Sequence, residues 1–174
     1  MMNARVEEAL NKQLHKESFS SHMYLAMASW TENQGLEGSA KFLYQHSDEE
    51  RQHMLKLVRY INERGGKAII PNLAKPEITF DSMLSMYESL LQHEIGISNS
   101  IGELVHICLE EKDYSTYNFL QWFVSEQMEE EALARSILDK LRMIGNDKSG
   151  LYLFDRDING LRKTFSNTGS QPTA

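Results

Sequence analysis

Apolar residues recur every three or four positions along four long stretches of the chain, and every stripe is interrupted by polar groups partway along. The first stripe reads Leu10, Leu14, Glu17, Ser21, Tyr24, Ala28, and the second Leu43, His46, Glu50, His53, Leu57, Tyr60. The third reads Tyr87, Leu91, Glu94, Ser98, Ile101, Val105, and the fourth Leu120, Phe123, Gln127, Glu130, Ala134, Ile137. This period predicts helices over residues 4–31, 39–63, about 83–110 and 114–144. Asp81 or Ser82 is the expected cap of the third helix and Asp113 that of the fourth. Glycines in "NQGLEG" and at Gly65-Gly66 supply the stop signals of the first two. A shorter amphipathic segment follows over residues 149–163, with Leu151, Leu153, Phe154, Ile158 and Leu161 as its apolar positions. From Ser166 the tail is polar, and fraying is expected there.

Short links between the first and second helices, and between the third and fourth, imply two helical hairpins. The link joining the hairpins, "KAIIPNLAKPEITF", holds two of the chain's three prolines and has no helical period. A helix of about 28 residues is about 42 Å long, and about 14 extended residues can run back along it. The expected fold is all-α, a four-helix bundle with one long crossover and a short fifth C-terminal helix, forming a single domain over residues 1–165. This architecture serves metal-carrying bundles and scaffolding proteins alike, so the fold alone does not decide function.

The interruptions share a register. Glu17 to Glu50 and Glu94 to Gln127 are both 33 residues apart, while Glu17 to Glu94 and Glu50 to Gln127 are both 77 apart. Two halves therefore superpose on one pattern, which places Glu17, Glu50, Glu94 and Glu130 near one level of the bundle. Burying four carboxylates demands either protons or cations. No Lys or Arg falls on the seams, and Arg51 and Arg135 project elsewhere. One reading is a polar layer in which the carboxylates share protons with Tyr24, Ser21 and Ser98. The other is a pair of divalent metals, whose charge four glutamates balance. His53 lies one turn from Glu50 on the same face and adds a nitrogen donor suited, with oxygen ligands, to iron or manganese.

Composition narrows the classes further. Lys and Arg total 18 against 25 Asp and Glu, for a net charge of −7, which argues against a nucleic-acid binder. The first twenty residues have no apolar export core and the chain has no apolar run of about 18 residues, so a cytoplasmic, non-membrane protein is expected. Cys108, the single cysteine, sits in "LVHICLEE" and reads as a small core residue.

The stretches "EERQHM", "YNFLQWFVSEQMEEE" and "GLYLFDRDI" carry a resemblance to the bacterial non-haem ferritins that extends over about 165 residues. The resemblance implies the ferritin-like fold and an iron-storage protein with ferroxidase activity. Such a protein oxidises Fe(II) to Fe(III) with O2 or H2O2 and deposits ferric oxide-hydroxide inside a hollow shell. It implies one iron held by Glu17, Glu50 and His53 and a second by Glu50, Glu94 and Glu130, with Glu50 bridging. Gln127 is implied as a weak or neighbouring ligand, and Tyr24 as a hydrogen-bond donor and possible one-electron donor. A third iron site is implied at Glu49, Glu126 and Glu129, sharing Glu130. The shell would be a homo-oligomer of 24 chains, with the fifth helix at its four-fold contacts.

Departures from relatives matter too. Where a symmetric di-iron bundle repeats Glu-x-x-His, this chain has Gln127-Met128-Glu129-Glu130, and Arg51 follows the bridging glutamate where a haem-binding relative has methionine. No haem is expected. Met23, Met27, Met54, Met83, Met86, Met128, Met143 and Trp122 read as core or inter-subunit residues, with electron transfer a second role open to Trp122. His15, His22, His46, His93 and His106 read as surface or hydrogen-bonded core residues, His46 with a possible transient iron contact. Glu110, Glu111 and Asp113 are candidates for an acidic channel. The competing functions are a di-iron or manganese oxidase acting on an organic substrate and a non-catalytic helical interaction module.

Overall fold

The computed structural model describes residues 2–166, with side chains as far as Leu161; the remainder of the polar tail lies outside the described residues. Five helices follow in order: α1 (Ala4–Asn33), α2 (Glu37–Glu63), α3 (Met83–Glu110), α4 (Tyr114–Ile144) and α5 (Lys148–Ser166). No strand occurs among the described residues, and no helix there is long and apolar enough to cross a membrane.

Local chemistry sets most boundaries. The Asn3 side chain accepts from Arg5 N to open α1, and Ser82 and Ser85 exchange hydrogen bonds in a capping box that opens α3. Asp113 caps α4 by accepting from Thr116 N, and its carboxylate also meets the Arg64 guanidinium at 3.2 Å. Replacing Asp113 with Ala removes both contacts, and urea unfolding should show a loss of about 1–2 kcal/mol. Glu110 and Glu111 pair with Arg5. Of the three acids expected as a channel, Glu110 and Glu111 thus hold the α3–α4 corner to the start of α1, and Asp113 holds it to the end of α2.

The second helix begins two residues earlier than its sequence signals suggest, because its cap comes from elsewhere. Leu36 offers no capping side chain; Asp155 of α5 accepts instead from Gly38 N at 3.0 Å and Ser39 N at 2.7 Å. No local pattern encodes a cap more than a hundred residues away.

The crossover runs the length of α1. Near its start, Lys67 N donates to Glu7 and Ile69 N to Asn11. Near its end, the Phe80 ring meets Trp30 edge-on with centroids 5.3 Å apart. From Asn11 to Trp30 the helix rises about 28 Å, within reach of the roughly 36 Å spanned by the chain between Ile69 and Phe80. It follows that α3 enters beside the end of α1 and runs antiparallel to it, as the Tyr24–Glu94 and Gln13–Ser100 contacts require.

The apolar core is divided in two. One cluster, near the end of α1, gathers Met27, Phe42, Tyr87, Leu138 and the α5 residues Phe154 and Ile158. The other, near the start of α1, gathers Val6, Leu10, Leu57, Ile101, Cys108 and Leu120. Cys108 is fully buried, and burial pushes its thiol up to about 11. Buried polar groups occupy the level between the clusters. On α3 the row packed inward is Leu90, Glu94, Ile97, Ile101 and Leu104, while Leu91, Ser98 and Val105 flank it. A 3.6-residue turn presents a stripe wider than one row, and stepping by threes and fours selects only one edge of it.

Candidate metal centre

Glu17 from α1, Glu50 and His53 from α2, Glu94 from α3 and Gln127 and Glu130 from α4 are all buried at the level between the two cores. Each side chain reaches this level because it replaces an apolar residue on its helix's inward face. His53 Nδ1 lies 3.5 Å from Glu50 and 3.8 Å from Glu17, and its Nε2 lies 3.9 Å from Glu126. One ligand atom from each of Glu17, Glu50 and His53 falls within 4.8 Å of the others, and the same holds for His46, Glu49 and Glu130. Two three-residue groupings therefore adjoin, contributed mainly by α1 and α2 in one and by α2 and α4 in the other.

Glu94 stands outside both groupings. Tyr24 Oη donates to one of its oxygens at 2.7 Å and Gln127 Nε2 to the other at 3.0 Å, so both lone-pair faces are oriented. Burial and the Glu94 charge keep the Tyr24 phenol well above its ordinary value. Glu126 and Glu129 neighbour one another on α4, both half-buried, and Glu49 lies with His46 and Glu130 across on α2. The sequence reading placed His46 on the second seam as a hydrogen-bonded core residue, but did not name its partner or anticipate Gln13. His46 is buried, and its Nε2 lies within hydrogen-bond distance of Glu130 at 2.9 Å. Gln13 is buried and donates to Glu17 at 2.6 Å. The usable signal was its position four residues before Glu17, on the same face.

Ser21 and Ser98 take no part in a shared-proton layer. Ser21 bonds to Ser47, and Ser98 donates to Glu131, which also pairs with Arg135. Trp122 is 38% exposed; its ring meets His53 edge-on at 5.1 Å and lies beneath the Lys56 ammonium. Met128 and Met143 are exposed, whereas Met23, Met27, Met83 and Met86 fill the core.

Electrostatics explain what the centre lacks. Burial, then the charge of Glu50, pushes the Glu17 carboxyl well above its ordinary value. Burial, then Glu94 and Glu130, does the same to Glu50. Glu94 is raised to about 7 by burial and by Glu130, despite the opposing bonds from Gln127 and Tyr24. For Glu130, burial is outweighed by His46 and His53, which hold its carboxyl below the ordinary value. Glu17 Oε2 and Glu50 Oε1 are buried with no hydrogen-bond partner among the described residues. Orphaned carboxylate oxygens on two neighbouring residues of a dense acidic cluster fit divalent cations, which would satisfy them.

This predicts a pH dependence. Because its folded value lies above its unfolded one, Glu94 contributes most to stability below pH 4.5, and the contribution is lost as pH rises to about 7. A cation must displace that proton, so binding strengthens over the same interval. Anaerobic titration with a divalent metal should find affinity falling about tenfold per pH unit, per proton displaced, below pH 7.

Similarity to known proteins agrees with this geometry. A family model described as a ferritin-like domain matches residues 7–144. A probable bacterial non-heme ferritin-like protein from Haemophilus influenzae is 47% identical over 161 residues, covering 92% of this chain and 98% of the relative. A bacterial non-heme ferritin from Campylobacter jejuni is 44% identical, covering 92% and 96%. An open pore ferritin from Archaeoglobus fulgidus superposes with a TM-score of 0.89 at 39% identity, over 90% of this chain and 96% of its own. A helical bundle with one crossover, carrying buried carboxylates and His53 at one level, and matched by these relatives over nearly its whole length, belongs to the ferritin family.

Proposed function

We propose that this protein stores iron and is itself the ferroxidase that oxidises it. The carrying observation is the buried layer of Glu17, Glu50, Glu94 and Glu130 with His53, in which two carboxylate oxygens have no hydrogen-bond partner among the described residues and no Lys or Arg pairs with the four carboxylates. Two Fe(II) ions are the substrate. Glu17, Glu50 and His53 hold one, Glu50, Glu94 and Glu130 the other, and Glu50 lies between. Gln127 and Tyr24 fix the orientation of Glu94 through their hydrogen bonds. Each Fe(II) gives up one electron, and O2 takes the pair with two protons to leave H2O2; where H2O2 is the oxidant, the pair and two protons leave water. Holding both ions at one level lets the two electrons leave together, which limits one-electron leakage.

Glu126 and Glu129, with Glu49, form the half-buried acidic side of the centre between α2 and α4 and serve as a third iron position. Fe(III) leaving the pair meets these carboxylates before it hydrolyses. The oxide-hydroxide needs an enclosed volume, for which a homo-oligomeric cage of 24 chains, closed partly through α5, is the assembly. The protein acts in the cytoplasm and binds no haem, since Arg51, whose guanidinium cannot ligate haem iron, stands where a haem-binding relative has methionine. An organic-substrate oxidase is disfavoured because Leu14, Leu57 and Phe123 pack the space around the pair.

The test is aerobic addition of Fe(II) to metal-free protein, with oxygen uptake recorded and the products passed through a sizing column. Uptake much faster than in buffer, with iron travelling in a very large assembly, supports storage with oxidation. Uptake at the buffer rate with precipitated iron overturns it.

A further inference from the structure

The face of the bundle between α1 and α3 is grooved, and the groove comes within one side chain of the centre. Two hollows lie end to end along it, about 620 Å³ and about 350 Å³, meeting at Lys12, Lys16 and Gly96. Gly96 is the reason the groove is continuous: a Cβ placed there would meet nothing within 4 Å. Gln13 and Ser100 line the smaller hollow. Ser100 Oγ donates to Gln13 Oε1 at 2.6 Å, and Gln13 Nε2 donates to Glu17 Oε1 at 2.6 Å. Glu17 in turn presents the partnerless Oε2 to the centre. Gln13 thus links a surface groove to a carboxylate of the iron pair, and two hydrogen bonds hold it in place.

Building on the ferroxidase reading above, we infer that this groove is the route by which the small uncharged oxidant, O2 or H2O2, reaches the pair, with Gln13 as its gate. Charge decides against iron as the traveller. Lys12, His15 and Lys16 rim the wider half, which no carboxylate lines; Lys12 is paired with Glu8, Lys16 also borders the smaller half, and Glu103 is the one acid there. A cation is repelled there, whereas a neutral diatomic or peroxide is indifferent to the field. Phe19 and Ile97 add an apolar wall that suits such a molecule. The acidic residues Glu49, Glu126 and Glu129 lie on the opposite side of the bundle, between α2 and α4, where a cation is attracted. Metal and oxidant then approach from opposite faces and do not compete for one route.

The test blocks the groove without touching the centre. Gly96→Phe fills it at the junction of the two hollows; Gly102→Phe puts the same side chain on the same helix at a position with equally open space but outside the groove. Fe(II) binding is titrated anaerobically, and the second-order rate constant for oxidation is measured against O2 and against H2O2 concentration. The expected result is a roughly tenfold lower rate constant in Gly96→Phe, with binding unchanged and Gly102→Phe equal to wild type. An unchanged rate constant in Gly96→Phe beside fast wild-type oxidation overturns the groove's role alone. Loss of Fe(II) binding in Gly96→Phe also overturns it, because the groove would then carry the metal. Wild-type protein that does not accelerate oxidation overturns the ferroxidase reading itself.

Discussion

Glu50→Ala should abolish the fast phase of Fe(II) oxidation, leaving a rate at least about a hundredfold lower than wild type in stopped-flow measurements. In the proposed centre, Glu50 is the carboxylate that the two ions share. It faces His53 at 3.5 Å, its charge raises the Glu17 carboxyl, and Glu94 and Glu130 raise its own. Without it each ion keeps only its outer ligands, and two electrons no longer leave from neighbouring positions. The companion variant Glu50→Gln separates chemistry from packing, since it keeps the volume and removes the charge. Its oxidation should be equally impaired, yet in metal-free protein its melting temperature at pH 7 should exceed that of wild type. The sign follows from the raised carboxyl: ionising Glu50 costs more in the folded state than in the unfolded one, and Gln removes that cost. The advantage should vanish below about pH 4.5, where Glu50 is protonated in both states. A Gln variant that oxidises iron normally would remove Glu50 from the centre. One that melts lower at pH 7 would mean that Glu50 is stabilised in the metal-free fold, which the orphaned Oε1 contradicts.

The same physics explains what the sequence could and could not disclose. A carboxylate on an apolar stripe is conspicuous because burying it is costly, so Glu17, Glu50, Glu94 and Glu130 could be read from periodicity; the 33-residue and 77-residue repeats placed the first three level with Gln127, one turn before Glu130. The crossover was legible because two prolines break any helical period. Partnerships across the bundle were not. His46 carries no mark that distinguishes it from a packed core histidine until α4 brings Glu130 to 2.9 Å. Glu110 and Glu111 read as free acids because Arg5, more than a hundred residues earlier, is their partner only in three dimensions. Gln13 and Gly96 looked ordinary: one is a polar residue amid polar neighbours, and the other a helical glycine whose meaning lies in the space above it.

Gly38→Ala is the substitution with the largest expected effect on stability. Helix α5 crosses the start of α2 so closely that a Cβ on Gly38 would overlap the backbone carbonyl oxygen of Asp155, and backbone cannot swing aside as a side-chain tip can. Three hydrogen bonds tie this crossing together: Asp155 accepts from Gly38 N and Ser39 N, and Asn159 Nδ2 donates to Gly38 O at 2.9 Å. Relieving the overlap requires α5 to lift, which strips α2 of its only side-chain cap among these contacts and exposes Phe154 and Ile158, now buried in the core at that end. The expected loss is about 3 kcal/mol, seen as a melting temperature lower by about 6–12 °C. Gly102→Ala, also within a helix but meeting nothing within 4 Å, should instead gain about 0.5–1 kcal/mol through helix propensity. The opposite signs isolate close approach as the cause. Hydrogen exchange locates the damage: α5 amides should lose protection first, with the centre at Glu50 still closed. If α5 joins neighbouring chains in the cage, the variant should also elute as smaller species while still oxidising iron. Equal melting temperatures for Gly38→Ala and wild type would mean that α5 does not sit against Gly38 in solution.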